Sequence, residues 1–468
     1  MGLIEQSQWD EALGDERISA VAQMMSGMRS KVTEPKISAK GKLVRMVGMA
    51  LEATGCRAPV GSHCFIEGDH GTTEAEVVGF GDDKLYLMPV SEAGGLTPGA
   101  TVITSRRPQL IDVGEQLLGR VIDGAGVPLD GLGELAVTHQ VPMVRDSPNP
   151  FERVPISKPL DVGVRAINGL FTLGKGQRIG LFAGSGVGKS TLLGMMTKNT
   201  EAEIVVVALV GERGREVREF VEFTLGPEGM SRAVVVATPA DASPLMRVHG
   251  ALRATAIAEY FRDCGADVLL LFDSLTRFAQ AQREISLSIG EFPVSKGYPP
   301  SVFAALPKLV ERAGNTNVGS ITAVYTVLVE GDDLNEPISD AARAILDGHI
   351  VLSRSIAEAG IYPSIDIESS ISRSMNHLTS RLHQKQVLLL KKYYSLYQKN
   401  HDLLAMGAYR EGADVQLDMA LKTYPLIEAY IQQETHEVVT MEMAQTALAG
   451  LSAAWPQILS TQAENTAQ

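Results

Sequence analysis

Three cysteines in 468 residues, Cys56, Cys64 and Cys264, are too few and too scattered for a disulfide framework or a Cys-rich metal site. A reducing compartment is expected. Long apolar runs are missing as well: no stretch of about 18 apolar residues occurs, so no membrane-spanning helix is expected. The opening Met1-Gly2-Leu3-Ile4-Glu5 carries acid where a signal peptide carries base, and Gln6 stands where N-myristoylation needs Ser or Thr. The expected location is the cytoplasm. Basic charge is in deficit, with 42 Lys and Arg against 55 acids and a net charge of -13. Broad phosphate-binding faces need the opposite balance, so no nucleic-acid partner is expected. What remains, 45% hydrophobic and 21% charged, is the composition of a globular chain. The length suggests roughly two to four domains.

The pattern changes along the chain. In residues 1–36, Ile18, Val21, Ala22, Met25 and Met28 fall at helical spacing and form one apolar stripe before Pro35. Such a stripe serves either packing on the same chain or partner binding and self-association. Residues 37–107 read as short strands (Lys42–Val47, His63–Glu67, Glu74–Phe80, Lys84–Met88, Thr101–Ile103) separated by Gly, Asp and Pro turns. Short strands without helices predict a small β-barrel or sandwich. Residues 108–153, rich in Gly and Pro, read as a linker. From 154 to 380, short continuous apolar strands alternate with helices, which predicts an α/β domain with a mostly parallel sheet. The strands are Arg178–Ala183, Ile204–Val210, Ala233–Ala237, Val268–Phe272, Ser320–Leu328 and His349–Ser353, and the helices include Arg213–Leu225 and Ser243–Cys264. Residues 381–468 read as helical, with stretches at Lys385–Gln398 and Tyr424–Gln433.

The chemistry centres on Ala183-Gly184-Ser185-Gly186-Val187-Gly188-Lys189-Ser190, which ends a predicted strand and opens a predicted helix, Ser190–Lys198. That is the context a phosphate-binding P-loop requires. Its glycines let backbone N–H groups turn inward at a helix N-terminus and form an anion nest. Lys189 supplies a point charge for the β- and γ-phosphates of ATP, and Ser190 a hydroxyl for Mg²⁺. Thr191 extends the set of nucleotide contacts. Ala183 departs from the glycine expected at the first motif position, and Gly184 offers the missing freedom. A plain flexible turn is the competing reading, disfavoured because strand, helix, Lys and Ser are all in place. Asp273 ends the apolar run Val268-Leu269-Leu270-Leu271-Phe272, as an acid holding Mg²⁺ through water does. Glu212 follows the strand ending at Val210. Ligands of parallel α/β sheets gather at the carboxyl ends of strands, so Lys189, Glu212 and Asp273 should converge there. Glu212 is then placed to orient the attacking water. Either acid alone would read as a helix cap or an ion pair; three strand ends in agreement favour catalysis.

Longer motifs add a resemblance. Gly211-Glu212-Arg213-Gly214-Arg215-Glu216, Asp273-Ser274-Leu275-Thr276-Arg277-Phe278 and Lys296-Gly297-Tyr298-Pro299-Pro300-Ser301 resemble the rotary-type ATPase superfamily, and most of all the protein-export ATPases of bacterial type III secretion. The phosphate loop resembles the flagellar branch. The resemblance implies a RecA-like ATPase domain between a barrel and a helical domain. It implies Glu212 as the catalytic carboxylate, Arg213 as a γ-phosphate contact and Glu216 as a further metal ligand through water. It makes Arg373, in Ser370-Ile371-Ser372-Arg373, an arginine finger for the neighbouring subunit, and Tyr362 the aromatic beside adenine. It further implies a homohexamer on the cytoplasmic side of the inner membrane. The partners implied are a stator-like regulator, a coiled-coil stalk protein, a membrane export gate, and export substrates with their chaperones. Residues 1–36 hold four Lys or Arg and six acids, so electrostatic attraction to lipid should be weak.

Three other readings compete. An ATP synthase catalytic subunit usually carries an acid-dense loop facing its rotor, whereas the corresponding Met406-Gly407-Ala408-Tyr409-Arg410-Glu411-Gly412 lacks one. A non-catalytic nucleotide-binding subunit conflicts with Glu212 beside Lys189. An RNA-translocating ring conflicts with the acidic balance. A virulence-type secretion ATPase is the near alternative within the same family.

Overall fold

The computed structural model describes residues 40–465, apart from 70, 92–93, 106–108, 138, 330 and 332, and gives no side-chain surroundings beyond residue 453. The apolar stripe at Ile18–Met28 and the expected role of residues 1–36 lie outside the described residues.

Six antiparallel strands come first: β1 (Lys40–Val47), β2 (Ala50–Thr54), β3 (His63–Gly68), β4 (Gly71–Gly81), β5 (Lys84–Pro89) and β6 (Thr101–Thr104). They close into a barrel in the order β1-β2-β5-β4-β3-β6. Inward-facing Leu51, Ile66, Val77, Leu87 and Val102 fill it and are fully buried. Closure removes the sheet edges, which is why such short strands are stable. β2 was not visible in the sequence, because Ala-Leu-Glu-Ala-Thr is a weak strand pattern held by its two neighbours.

The stretch 108–153, expected as a linker, is in fact built into the fold. Leu110–Val113 pairs with His139–Pro142, and β7 (Val121–Ile122) joins the edge of the central sheet. Its fastening is polar: Asp130 accepts two bonds from the Arg120 guanidinium and one from Val121 N–H. Two apolar residues between Gly- and Pro-rich turns are too short a run to announce a strand.

The central sheet adds β8 (Arg178–Ala183), β9 (Ile204–Val210), β10 (Ala233–Thr238), β11 (Asp267–Asp273), β12 (Ser320–Leu328), β13 (Gly348–Leu352) and β14 (Ile365–Ser372). Their order is β14-β13-β8-β12-β11-β9-β10-β7. Neighbours in this order pair in parallel except β13 with β14, and off the path Gly314–Asn315 pairs antiparallel with β12. Side chains alternate between two cores. Leu181, Val205 and Val207 pack on one face, and Phe182, Val206 and Ala208 on the other. Burial on both faces explains the uninterrupted apolar runs, and each such Val or Leu contributes about 1.5–3 kcal/mol of transfer free energy. A charge at Val206 would face the second core with no partner.

Flanking helices begin where the sequence caps them. Ser243 Oγ accepts from Met246 N–H ahead of α2 (Pro244–Asp263), and Ser274 Oγ from Arg277 N–H ahead of α3 (Leu275–Ser288). α1 (Lys189–Asn199) follows the phosphate loop. The chain then continues in α4 (Arg381–Ala405), α5 (Val415–Ile431) and α6 (Met441–Asn465). Among the described residues no helix is long and apolar enough to cross a membrane.

Candidate active site

The phosphate loop leaves β8 at Ala183. Ala183 pairs in register with Leu328 and Leu352, and its carbonyl accepts from Val329 N–H at 3.1 Å. The first motif position is thus ordinary extended strand, where alanine is no handicap. The turn itself needs glycine at Gly186 (φ 79°) and Gly188 (φ 93°), left-handed values that side chains rarely adopt. Gly184 and Val187 are buried, whereas Ser185, Ser190 and Thr191 are exposed at the loop and the first turn of α1. The first N–H groups of a helix have no intrahelical partner, so this turn is a ready anion cradle. Its back wall comes from the opposite end of the sequence: Ser364 Oγ donates to Val187 O at 2.6 Å. The Tyr362 ring stands against Gly188, 3.4 Å from where a Cβ would be.

Three charges meet at the carboxyl edge of the sheet. Lys189 Nζ donates to Asp273 Oδ1 at 2.6 Å and to Glu212 Oε1 at 3.3 Å. Their side chains are only 13%, 6% and 14% exposed respectively. Burial alone would lower the Lys189 pKa, but Asp273 and Glu212 outweigh it and hold it above the usual lysine value. Glu212 is pushed up from the ordinary carboxylate value, first by burial and then by the Asp273 charge. Asp273 is gripped a second time, by Thr326 Oγ1 donating to the same Oδ1 at 2.6 Å. Gly211, with φ 71°, turns the chain into Glu212, and a Cβ there would lie 2.9 Å from Arg277 Cβ.

Arg213 and Glu216 stand at the mouth. Arg213 caps a short helix, Gly214–Glu219, and its side chain is 76% exposed, with Nη1 3.6 Å from Glu216 Oε1. A hydrogen-bonding contact with Glu216 adds to the rise of the Glu212 pKa. Among the described residues no group of three or more His, Cys, Asp or Glu could cage a metal. Mg²⁺ does not need one: it takes one or two carboxylates and completes its shell with substrate phosphates and water. The Ser190 hydroxyl and the Asp273 and Glu216 carboxylates are all hard oxygen donors, so the residues present fit that ion.

Beside the loop lies a cavity of about 660 Å³, bordered by Gly188, Thr191, Tyr362, Pro363, Gln433 and Glu437. That is the size of a small-molecule site. Its far wall is fixed: Gln433 Nε2 donates to Gly163 O, and Gln433 Oε1 accepts from Arg165 N–H.

Arg373 is elsewhere. It follows β14, its N–H donates to Asp347 O, and Asp347 N–H in turn donates to Arg178 O. Arg373 is therefore level with the start of β8, five residues before Ala183. At ~3.3 Å per residue this is roughly 17 Å from the loop, beyond the reach of a side chain. Within one chain Arg373 is not part of this site. Sequence reasoning missed Thr326, Arg277 as the wall behind Gly211, and Ser364. No local signal marks them, since each lies 50 or more positions from the residue it supports.

Residues 163–372 match the model of the ATP synthase alpha/beta family, nucleotide-binding domain, and residues 379–450 match the T3SS EscN ATPase C-terminal domain. The chain is thus an ATP-hydrolysing enzyme of the ATP synthase alpha/beta class. The chain is 53% identical over 442 residues to the flagellum-specific ATP synthase of Pseudomonas aeruginosa, covering 93% of this chain and 98% of that protein. It is 46% identical over 404 residues to the type 3 secretion system ATPase of Xanthomonas euvesicatoria, covering 86% and 91%. The assembled ATPase EscN of the enteropathogenic E. coli type III secretion system superposes with a TM-score of 0.84 at 43% identity, covering 88% of this chain and 99% of that one. EscN in complex with its central stalk EscO gives 0.81 at 42%, with the same coverage. This chain belongs to the family of flagellar and type III secretion ATPases. The expected fold class, with barrel, parallel-sheet ATPase domain and helical end, is borne out.

Proposed function

We propose that this chain is the ATP-hydrolysing motor subunit that energises protein export through a flagellar type III apparatus. The observation that carries the reading is the convergence of Lys189, Glu212 and Asp273 at the carboxyl edge of the sheet, directly behind a glycine-rich loop. Relatives named flagellum-specific reach 53% identity, against 46% for the secretion ATPase of Xanthomonas euvesicatoria, which favours the flagellar branch.

In this reading the loop from Ala183 to Gly188 and the first residues of α1 hold the phosphates, with Thr191 at the rim and Tyr362 against adenine. Lys189 exchanges its carboxylate partners for the β- and γ-phosphates. Ser190, Asp273 and Glu216 would supply the protein oxygens that hold Mg²⁺. When bound, that ion neutralises charge developing on the transferred group. Glu212 orients the attacking water and accepts its proton, a task for which its raised pKa suits it. Arg213 swings from Glu216 to the γ-phosphate. Arg373 acts in trans, on the site of the next subunit of a homohexameric ring. The stalk seen with EscN suggests a coiled-coil partner in the ring's centre. A stator-like regulator, export substrates with their chaperones, and a gate at the inner membrane complete the proposed cytoplasmic assembly. Lys189→Ala tests the core of the reading. Tight ATP binding and turnover should both be lost, and wild-type-like phosphate release by that variant would overturn it.

A further inference from the structure

β14 runs between two functional ends. Just before its first residue, Ser364 holds the phosphate loop and Tyr362 leans on Gly188; just after its last residue stands Arg373. The strand between them is not regular. It pairs with β13 through Gly348–Ser372 and His349–Ile371, and again through Val351–Asp366 and Leu352–Ile365. Residues 367–370 therefore face the single residue Ile350 and form a large bulge. A bulge in a short strand shifts everything beyond it unless it is fastened.

It is fastened from within and from without. Ser370 Oγ donates to Asp366 O at 2.5 Å and accepts from Val351 N–H at 3.0 Å. Asp366 Oδ1 accepts from the N–H groups of Glu368 and Ser369. Beyond the sheet, Ser372 Oγ donates to Thr172 O and accepts from Gln177 Nε2, and on the bulge itself Lys391 Nζ of α4 donates to Ser370 O at 3.1 Å. The same ammonium lies 4.4 Å from the centre of the Phe171 ring, a cation–π placement. Burial pushes this lysine down to about 8, with Asp366 opposing. An apolar residue would fill the position without that desolvation, but could not hold the Ser370 carbonyl. The neighbouring Lys392 is exposed.

We propose that Lys391 is a positioning residue: it fixes the β14 bulge that sets where Arg373 stands, and so ties the C-terminal helices of one subunit to ATP hydrolysis in the next. The proposal rests on Arg373 acting in trans. The consequence is directional. Loss of the Lys391 bond should harm the site that receives the finger, not the site of the subunit that carries the change.

Mixed rings read this direction. Lys189→Ala subunits donate fingers only, and Arg373→Ala subunits supply loops only, so an equal mixture recovers activity that neither parent has. Lys391→Met is then added to one parent at a time. In the finger donor (Lys189→Ala with Lys391→Met), recovery should fall ~10-fold or more, as a misplaced catalytic group does. In the loop supplier (Arg373→Ala with Lys391→Met), recovery should stay within about twofold of the parent mixture. Lys391→Arg, which keeps cation and donor, should restore most of the loss in the finger donor. Titration of the Lys391→Met protein with a fluorescent ATP analogue should give unchanged affinity. Equal losses in both placements, or no loss in either, overturn the proposal while the trans finger stands. Absence of recovery in the parent mixture, despite co-assembly, removes the trans finger and this proposal with it.

Discussion

Replacing Glu212 by Gln separates catalysis from binding at this site. Lys189 keeps its 2.6 Å bond to Asp273, Asp273 keeps its bond to Thr326, and the loop glycines are untouched. The phosphate cradle should survive, with ATP affinity within a few-fold of wild type. What disappears is the acid–base group, and removing a positioned one lowers rate roughly 10²–10⁴-fold. At about 1.36 kcal/mol per tenfold, that is about 2.7–5.4 kcal/mol of transition-state stabilisation. The fold should not suffer. The folded-state pKa of Glu212 is raised above its ordinary 4.5 by burial and by Asp273, so its charged form opposes folding at neutral pH. An uncharged amide of the same shape removes that penalty. The stability gain should be absent below about pH 4.5, where the acid is protonated in both states, and should grow as pH rises toward neutrality. The assays are phosphate release at saturating Mg-ATP, titration with a fluorescent nucleotide, and urea unfolding at several pH values. A rate within tenfold of wild type, or equal losses of affinity and rate, would refute the catalytic role of Glu212. A destabilised variant at neutral pH would refute the electrostatic account.

Thr326→Val keeps volume but removes the donor to Asp273, and a hydrogen bond to a charged group contributes roughly 1.5–3 kcal/mol, so urea unfolding should show a loss of that order. Thr326→Ser should restore it, and the Mg²⁺ concentration for half-maximal activity should rise in the Val variant only. His383 is held neutral by burial, against the pull of the Gly169 carbonyl it bonds at 2.8 Å. Its folded pKa lies below the ordinary 6.5, so its share of stability is present above that pH and is lost as pH falls through the folded value. Melting curves from about pH 7.5 down to 5 should therefore be flatter for His383→Gln, by at most ~1.4 kcal/mol per pH unit; identical slopes would exclude this titration.

Features with a local cause were legible in the sequence. A glycine-rich turn before Lys-Ser needs left-handed backbone at Gly186 and Gly188 wherever it occurs, and the apolar runs Ile204–Val210 and Val268–Phe272 fit strands buried on both faces whatever their neighbours. An acid directly after such a run must emerge at the carboxyl edge, so Asp273 and Glu212 could be paired with Lys189 before any contact was known. The cap serines at 243, 274 and 380 have an equally local cause, a bond spanning three residues, but were not read from the sequence.

Tertiary structure decided the rest. β14 reads Ile-Asp-Ile-Glu-Ser-Ser-Ile-Ser, too polar to announce a strand; it is one because β13 offers it an antiparallel edge. Thr326 supports Asp273 from 53 positions away, and Ser364 supports Val187 from 177 away. The distance of Arg373 from Lys189 follows from strand order and register alone. Propensity and periodicity act over one turn or one strand, so they carry no information about pairs that only chain crossing brings together.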